Sequence, residues 1–192
     1  MKVKICKIRY HSDNTDMNIY IETERLILRN FVETDYERLF LLDSNPDVMR
    51  YVGQKPLSEK EESRKVVQMI LQQYQDNGLG RLAVIEKECN LLIGWSGLKL
   101  HTSEINGHQN FYDLGYRFLP ETWGKGYASE SAKASLDFGF NDFKAEVIYA
   151  HAHSENIPSN NILTKLGFEN KGEFTEPDGI CFWYELKKEN FK

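Results

Sequence analysis

Cysteine is scarce in this sequence, and its spacing rules out a shared task. Cys6, Cys89 and Cys181 are odd in number and far apart, with no C-x-x-C pair or Cys/His cluster. Neither a disulfide framework nor a zinc site is indicated. His151 and His153 lie two apart on an expected strand and share a face, but no third or fourth ligand accompanies them, so no metal is expected. Long apolar runs are missing too. None approaches the roughly 20 residues of a bilayer-spanning helix. Residues 1–10 alternate lysine with apolar residues and lack the core of a signal peptide. A cytoplasmic protein with no membrane partner is the expectation. Charge of one sign is not dominant either. Lys and Arg total 24 against 29 Asp and Glu, a formal net charge of -5. That excludes a duplex nucleic acid as main partner, which would want clustered cations, and leaves room for a cationic acceptor.

What is present suits one globular domain. The 192 residues are 41% hydrophobic and 12% aromatic, with no repeat and no Pro/Gly/Ser-rich linker. Residues 1–20 read as an N-terminal extension, with a loose polar connection at 11–18, and 21–192 as a single domain. Residues 25–31 read as a strand. Thr34 and Glu37 have capping-box spacing and open a short helix to about Leu42. Ser58 and Glu61 repeat the signature before a longer helix with Val66, Val67, Ile70, Leu71 and Tyr74 on its apolar face, ended by Asn77-Gly78. Strands are expected at 82–86, 91–100 and 111–119, the last stopped by Pro120. A helix follows at 129–143, a strand at 147–152, and a helix at 159–166 closed by Gly167. Two final strands cover about 171–175 and 180–186. Grouped strands followed by alternating elements predict a mixed α/β sheet with helices on both faces.

The chemistry concentrates in Trp123-Gly124-Lys125-Gly126-Tyr127-Ala128, between a strand and a helix. Gly124 and Gly126 let the backbone turn tightly against a ligand, and the helix start offers unpaired N–H groups to a phosphate or pyrophosphate. A Walker loop is excluded because Lys125 is followed by Gly126, leaving no hydroxyl for magnesium. The dinucleotide fingerprint fails for want of a third glycine and its acidic partner. A ligand held mainly by backbone donors remains.

The same stretch resembles the Q/R-x-x-G-x-G/A pyrophosphate motif of the GNAT N-acetyltransferases, with Trp123 in the first position. Residues 156–168, beginning Asn156-Ile157-Pro158-Ser159 and ending Lys165-Leu166-Gly167-Phe168, resemble that family's N-x-x-S…K-L-G-F segment. Glu22-Thr23-Glu24-Arg25-Leu26-Ile27-Leu28-Arg29 and Asp113-Leu114-Gly115-Tyr116 are similar to the branch that acetylates ribosomal-protein N-termini (RimJ/RimL-like). The resemblance spans about 21–189. It implies a strongly twisted sheet whose strands 111–119 and 147–152 splay apart around acetyl-CoA, with no metal. Phe118 and Leu119 would offer backbone groups to the pantetheine arm, Trp123 to Ala128 would wrap the pyrophosphate, and Asn156 would bond the pantetheine or a cleft water, with Ser159 a turn away. The acceptor would be a small-molecule amine or a protein N-terminus, and a homodimer fits this branch.

Direct attack of an amine on the thioester needs positioning, an oxyanion donor near Phe118 and a base. Asp113 is the first candidate base, by its place on the same strand as that donor; the competing reading is a carboxylate that solvates a strand end or pairs with a cation. His153 could relay a proton or be a polar strand-end residue. Glu130 fits a structural role at the helix start. Many members place a thiolate-protonating Tyr two residues before the Lys-Leu-Gly-Phe segment. Here that position is Leu163, expected in the core. Tyr127 is no substitute. Trp95 is read as packed on the sheet or lining the acceptor pocket, and Phe182-Trp183-Tyr184 as part core, part cleft wall. The missing Tyr also leaves open a non-catalytic acyl-CoA-binding sensor or interaction module.

Overall fold

A computed structural model describes residues 7–8 and 18–192, apart from residue 54. Among these, nine strands form one mixed sheet: β1 (Lys7–Ile8), β2 (Tyr20–Glu22), β3 (Leu26–Arg29), β4 (Arg81–Glu86), β5 (Leu91–His101), β6 (Phe111–Phe118), β7 (Val147–His153), β8 (Glu169–Glu176) and β9 (Gly179–Lys187). Their order is β1-β2-β3-β4-β5-β6-β7-β9-β8. Only the β6–β7 neighbours run parallel. The helices are α1 (Tyr36–Asp43), α2 (Pro46–Met49), α3 (Lys60–Asn77), α4 (Tyr127–Asp137) and α5 (Ile157–Lys165). The sheet begins inside the segment read as an extension, since Lys7 and Ile8 pair with Glu22 and Ile21. Residues 11–17 of the expected connection lie outside the described residues.

Period-two alternation sorts side chains between the two faces. On β5, Ser96 and Leu98 turn toward α4: Ser96 Oγ lies 3.5 Å from Ser135 Oγ, and a Cβ on Gly139, just past α4, would strike Leu98 Cδ1 at 2.5 Å. Arg117 on β6 points the other way and pairs with Asp43 of α1 at 2.6 Å. Helices therefore cover both faces, as the sequence pattern predicts. Leu39 and Leu42 of α1 and Val67 and Ile70 of α3 are buried on one side, with Ala132 and Leu136 of α4 on the other.

Several boundaries shift for identifiable reasons. The Thr34–Glu37 capping box does not form, because the Asp35 carboxylate takes the Val32 N–H at 2.9 Å and is also held by Arg29. Before α3, Glu62 rather than Glu61 accepts from the backbone of Ser58 and Glu59. Gly78 closes α3 in the left-handed region at φ 69°. The helix expected at 129–143 starts earlier and becomes a wider turn over Phe138–Asp142.

What places the site is the β6–β7 junction. The two strands share a single register pair, Asp113 with Tyr149. Beyond it they part, leaving Gly115 to Phe118 on one arm and His151 to His153 on the other. A V-shaped gap opens directly before the glycine loop.

Candidate active site

Gly124 and Gly126 adopt φ 74° and 83°, a region costly for residues with a Cβ. Among the described residues a Cβ on Gly124 would meet nothing within 4 Å, and one on Gly126 only Arg25 Nη2 at 3.5 Å. The loop is therefore an open cradle. Gly126 is the N-cap of α4 and supplies no side-chain cap, so first-turn N–H groups stay available to an anion. That arrangement has the geometry of an anion cradle, and Trp123, Gly124, Lys125, Gly126, Tyr127 and Ala128 lie between β6 and the start of α4. Glu130 explains how the loop is held. It is buried, and accepts from Thr23 Oγ1 at 2.6 Å, Arg25 N at 3.0 Å and Arg25 Nε at 2.7 Å. Arg25 Nη1 then donates to the Lys125 carbonyl at 2.9 Å, and its guanidinium lies 4.5 Å over the Tyr127 ring. The Tyr127 hydroxyl is tied to Glu86, which leaves it unsuited to proton transfer in the cleft.

Backbone donors along β6 are already divided. Leu119 N–H donates to Ile93 O at 3.0 Å, and its carbonyl accepts from Thr122. Both of its groups are used inside the fold, so Leu119 cannot serve the pantetheine as expected. Alternation turns the Phe118 N–H and carbonyl to the opposite side, toward the gap. There the carbonyl accepts from Trp123 Nε1 at 2.8 Å, and the Phe118 N–H is directed to the same side.

Across the gap, α5 begins at Asn156, whose Oδ1 caps Ser159 N at 3.2 Å. That commits the Asn156 carbonyl and leaves its amide NH₂ for a ligand. Ser159 Oγ meets the Tyr116 hydroxyl at 3.1 Å, and the same hydroxyl donates to Ser159 O at 3.2 Å. Burial raises the Tyr116 pKa. Tyr116 thus spans from β6 to α5. It closes the Asp113-Leu114-Gly115-Tyr116 stretch, but its reach to α5 follows from the splay and not from the sequence. Leu163 is 2% exposed and sits in the core, as expected.

The other face of the gap holds Asp113. Its carboxylate is buried and paired with Arg81, with His101 Nε2 at 3.5 Å and His151 Nδ1 at 3.6 Å. Burial alone would raise its pKa, but Arg81 and the two imidazoles overcome it and hold the carboxyl well below the usual range. So low an affinity for protons makes Asp113 a weak base; the geometry favours the competing reading, a carboxylate paired with a cation. His153 shares this face, yet its Nδ1 accepts the Glu155 N–H at 3.2 Å and its ring lies 5.2 Å from Tyr51. A Cβ on Gly179 would sit 2.5 Å from its Nε2, which suits packing at the strand end better than proton transfer. Trp95 is half-buried between Arg81 and Arg117, 5.4 and 5.1 Å from its ring centre. Trp183 stacks with His151 on this face, while Tyr184 turns to α5 and donates to Asn160 at 3.0 Å. Among the described residues no group of three or more His, Cys, Asp or Glu could hold a metal ion.

A glycine cradle at a helix start, beside two strands parted after one register pair, is what an acetyl-CoA cleft requires, and the family model for the acetyltransferase (GNAT) domain matches residues 25–169. The chain belongs to the GNAT acetyltransferase family. An uncharacterized N-acetyltransferase p20 of Bacillus licheniformis is 33% identical over 78% of this chain and 82% of its own. A GNAT-family acetyltransferase of Bacillus anthracis has a solved structure with TM-score 0.75 and 30% identity, covering 88% of this chain and 99% of that one. A spermidine N(1)-acetyltransferase of Escherichia coli (strain K12) is 29% identical over 76% of this chain and 74% of its own. The GNAT chain described here is accordingly an acetyl-CoA-dependent N-acetyltransferase. No helix among its described residues is long and apolar enough to cross a membrane.

Proposed function

We propose that the acceptor is the α-amine of a peptide or protein N-terminus. The charge of the acceptor face along β4–β6 carries this reading. Arg81 points onto it, Lys99 shares it as the cross-strand partner of Asp113, and Arg117 lies four residues further along β6. The carboxylates they meet, Asp113 and Asp43, are each already paired with a guanidinium. Burial first, and then the neighbouring Arg81, lower the Lys99 pKa despite Asp113. A polyamine would press several cations against this arm, whereas a peptide terminus brings one. An α-amine also has an ordinary pKa of about 7.7–8.0 against about 10.4 for an alkylammonium, so it loses its proton more readily near neutrality. The chemistry is direct attack in a ternary complex. Gly124 to Ala128 hold the pyrophosphate, Asn156 and Ser159 border the pantetheine, and the Phe118 N–H faces the developing oxyanion.

A polyamine acceptor is the second reading. It draws on the spermidine-acetylating relative and on Glu176 and Glu185, which share the acceptor face across β8 and β9. Thiol release from acetyl-CoA separates the two, measured with short peptides bearing free or blocked N-termini and with spermidine at equal concentration. Release with free but not blocked peptides, at a kcat/KM above that for spermidine, is expected. The reverse order assigns the polyamine.

A further inference from the structure

In the sequence His151 is one of two histidines on a strand face with no further metal ligands beside them. Its surroundings give it a different use. It lies two residues beyond the last β6–β7 register pair, on the arm of the gap facing Phe118, and shares a face with Asp113 and Tyr149. Its Nδ1 is buried and makes no hydrogen bond among the described residues, with the Asp113 carboxylate 3.6 Å away. A buried ring nitrogen beside a carboxylate that remains ionised favours an N–H at that nitrogen. In the neutral imidazole the lone pair then belongs to Nε2. The ring is oriented by stacking on Trp183 at 6.2 Å and 11°, with Phe174 edge-on at 5.9 Å. The side chain is 28% exposed, and Nε2 makes no hydrogen bond among the described residues.

We propose that His151 is the general base that takes the proton from the acceptor amine through Nε2, and that Asp113 is its positioning residue through Nδ1. The proposal rests on the acetyl-transfer reading given above. In the step, the amine lone pair forms the N–C bond and the thioester C–S bond breaks with its electron pair on the coenzyme A sulfur. The proton shed by the amine nitrogen passes to Nε2 and then to solvent. This division suits each group: Asp113 is too acidic to accept the proton but well placed to fix a tautomer. The groups facing His151 are Asp113 from β6, Arg81 from β4, His101 from β5 and Glu176 from β8, with Trp183 from β9 uncharged. Burial would depress the imidazolium, but Asp113, aided by Glu176, outweighs both burial and Arg81 and raises its pKa above the ordinary 6.5.

Two measurements on the full chain test this. The first is ¹⁵N NMR titration of the histidines without substrate, with His151 assigned by the His151→Gln spectrum. The expected result is an Nδ1–H tautomer titrating above pH 6.5. An Nε2–H tautomer, or titration below 6.5, overturns the proposal without reference to turnover. The second is the pH profile of kcat/KM for wild type and His151→Gln, with acetyl-CoA affinity measured calorimetrically on both. The expected result is a loss of about a hundredfold or more in kcat, disappearance of the acidic limb, and acetyl-CoA affinity unchanged within about threefold. A His151→Gln enzyme that keeps both rate and limb overturns the base while leaving acetyl transfer standing. A wild-type protein that binds acetyl-CoA yet releases no thiol with any amine overturns the transfer reading, and the base with it.

Discussion

Arg25 and Glu130 are joined across the molecule, Nε to Oε2 at 2.7 Å and Nη2 to the same oxygen at 2.6 Å. One stands in the turn between β2 and β3 and the other in the first turns of α4. The pair locks the β2–β3 turn to the glycine loop, because Arg25 also holds the Lys125 carbonyl. With that carbonyl turned aside, the loop's N–H groups face the cradle. Arg25→Met should cost about 1–3 kcal/mol by leaving a buried carboxylate short of donors. It should also weaken acetyl-CoA binding about tenfold, equivalent to about 1.4 kcal/mol. Calorimetric titration with thermal melting checks both; lost stability with unchanged affinity would make the pair a scaffold with no bearing on the loop.

Gly126 separates backbone strain from occlusion. At φ 83° an alanine is strained, by about 1–2 kcal/mol, but its Cβ meets only Arg25 Nη2 at 3.5 Å. Gly126→Ala should therefore bind acetyl-CoA more weakly and melt slightly earlier. Gly126→Glu adds a carboxylate against the pyrophosphate and should abolish binding. A folded Gly126→Glu protein with wild-type affinity would remove the loop from the site.

The sequence made the framework legible where a local rule sufficed. Alternating apolar residues marked the strands, Gly78 marked the end of α3, and the Trp123 to Ala128 stretch marked the phosphate cradle. Rules fell short where a competing side chain or a distant segment decides. The Thr34–Glu37 cap lost to Asp35, which Arg29 holds from a neighbouring strand. Leu119 was expected to serve the ligand, yet Ile93 and Thr122 take both its backbone groups. Strand position makes Asp113 a candidate base, but its partner Arg81 lies 32 residues away. Which of two histidines met it depended on the single register pair with Tyr149. No spacing rule within one strand carries that information.

Asp113 should also shape the acid limb of stability. Its folded pKa is depressed, so the unfolded chain, with an ordinary value of about 3.9, takes up the proton first. The stabilisation is fully present above about pH 4 and is lost as pH falls through the folded value. Asp113→Asn should lose about 3–5 kcal/mol at pH 7, since it leaves Arg81 buried without its partner. Below pH 4 the gap to wild type should narrow. Urea midpoints between pH 2.5 and 7 provide the comparison; a gap constant with pH would show that Asp113 is not ionised differently in the two states.

The leaving thiolate gives the last expectation. Position 163, where the family resemblance would place a proton-donating Tyr, is here a leucine 2% exposed. Leu163→Tyr would force a larger ring into a filled core, at a cost of about 1–3 kcal/mol, and its hydroxyl would have no path to the cleft. No rate gain should follow. The hydroxyls that do border the gap are Tyr116 and Ser159, 3.1 Å apart. With its pKa raised, Tyr116 keeps its proton throughout the neutral range. Tyr116→Phe should lower kcat about tenfold, below the usual 10²–10⁴ of a general acid because a thiolate leaves unaided more readily than most groups. Ser159→Ala combined with it should add less than its separate effect if the two act as one donor. Full additivity would separate their roles, and a faster Leu163→Tyr enzyme would place the donor on α5 after all.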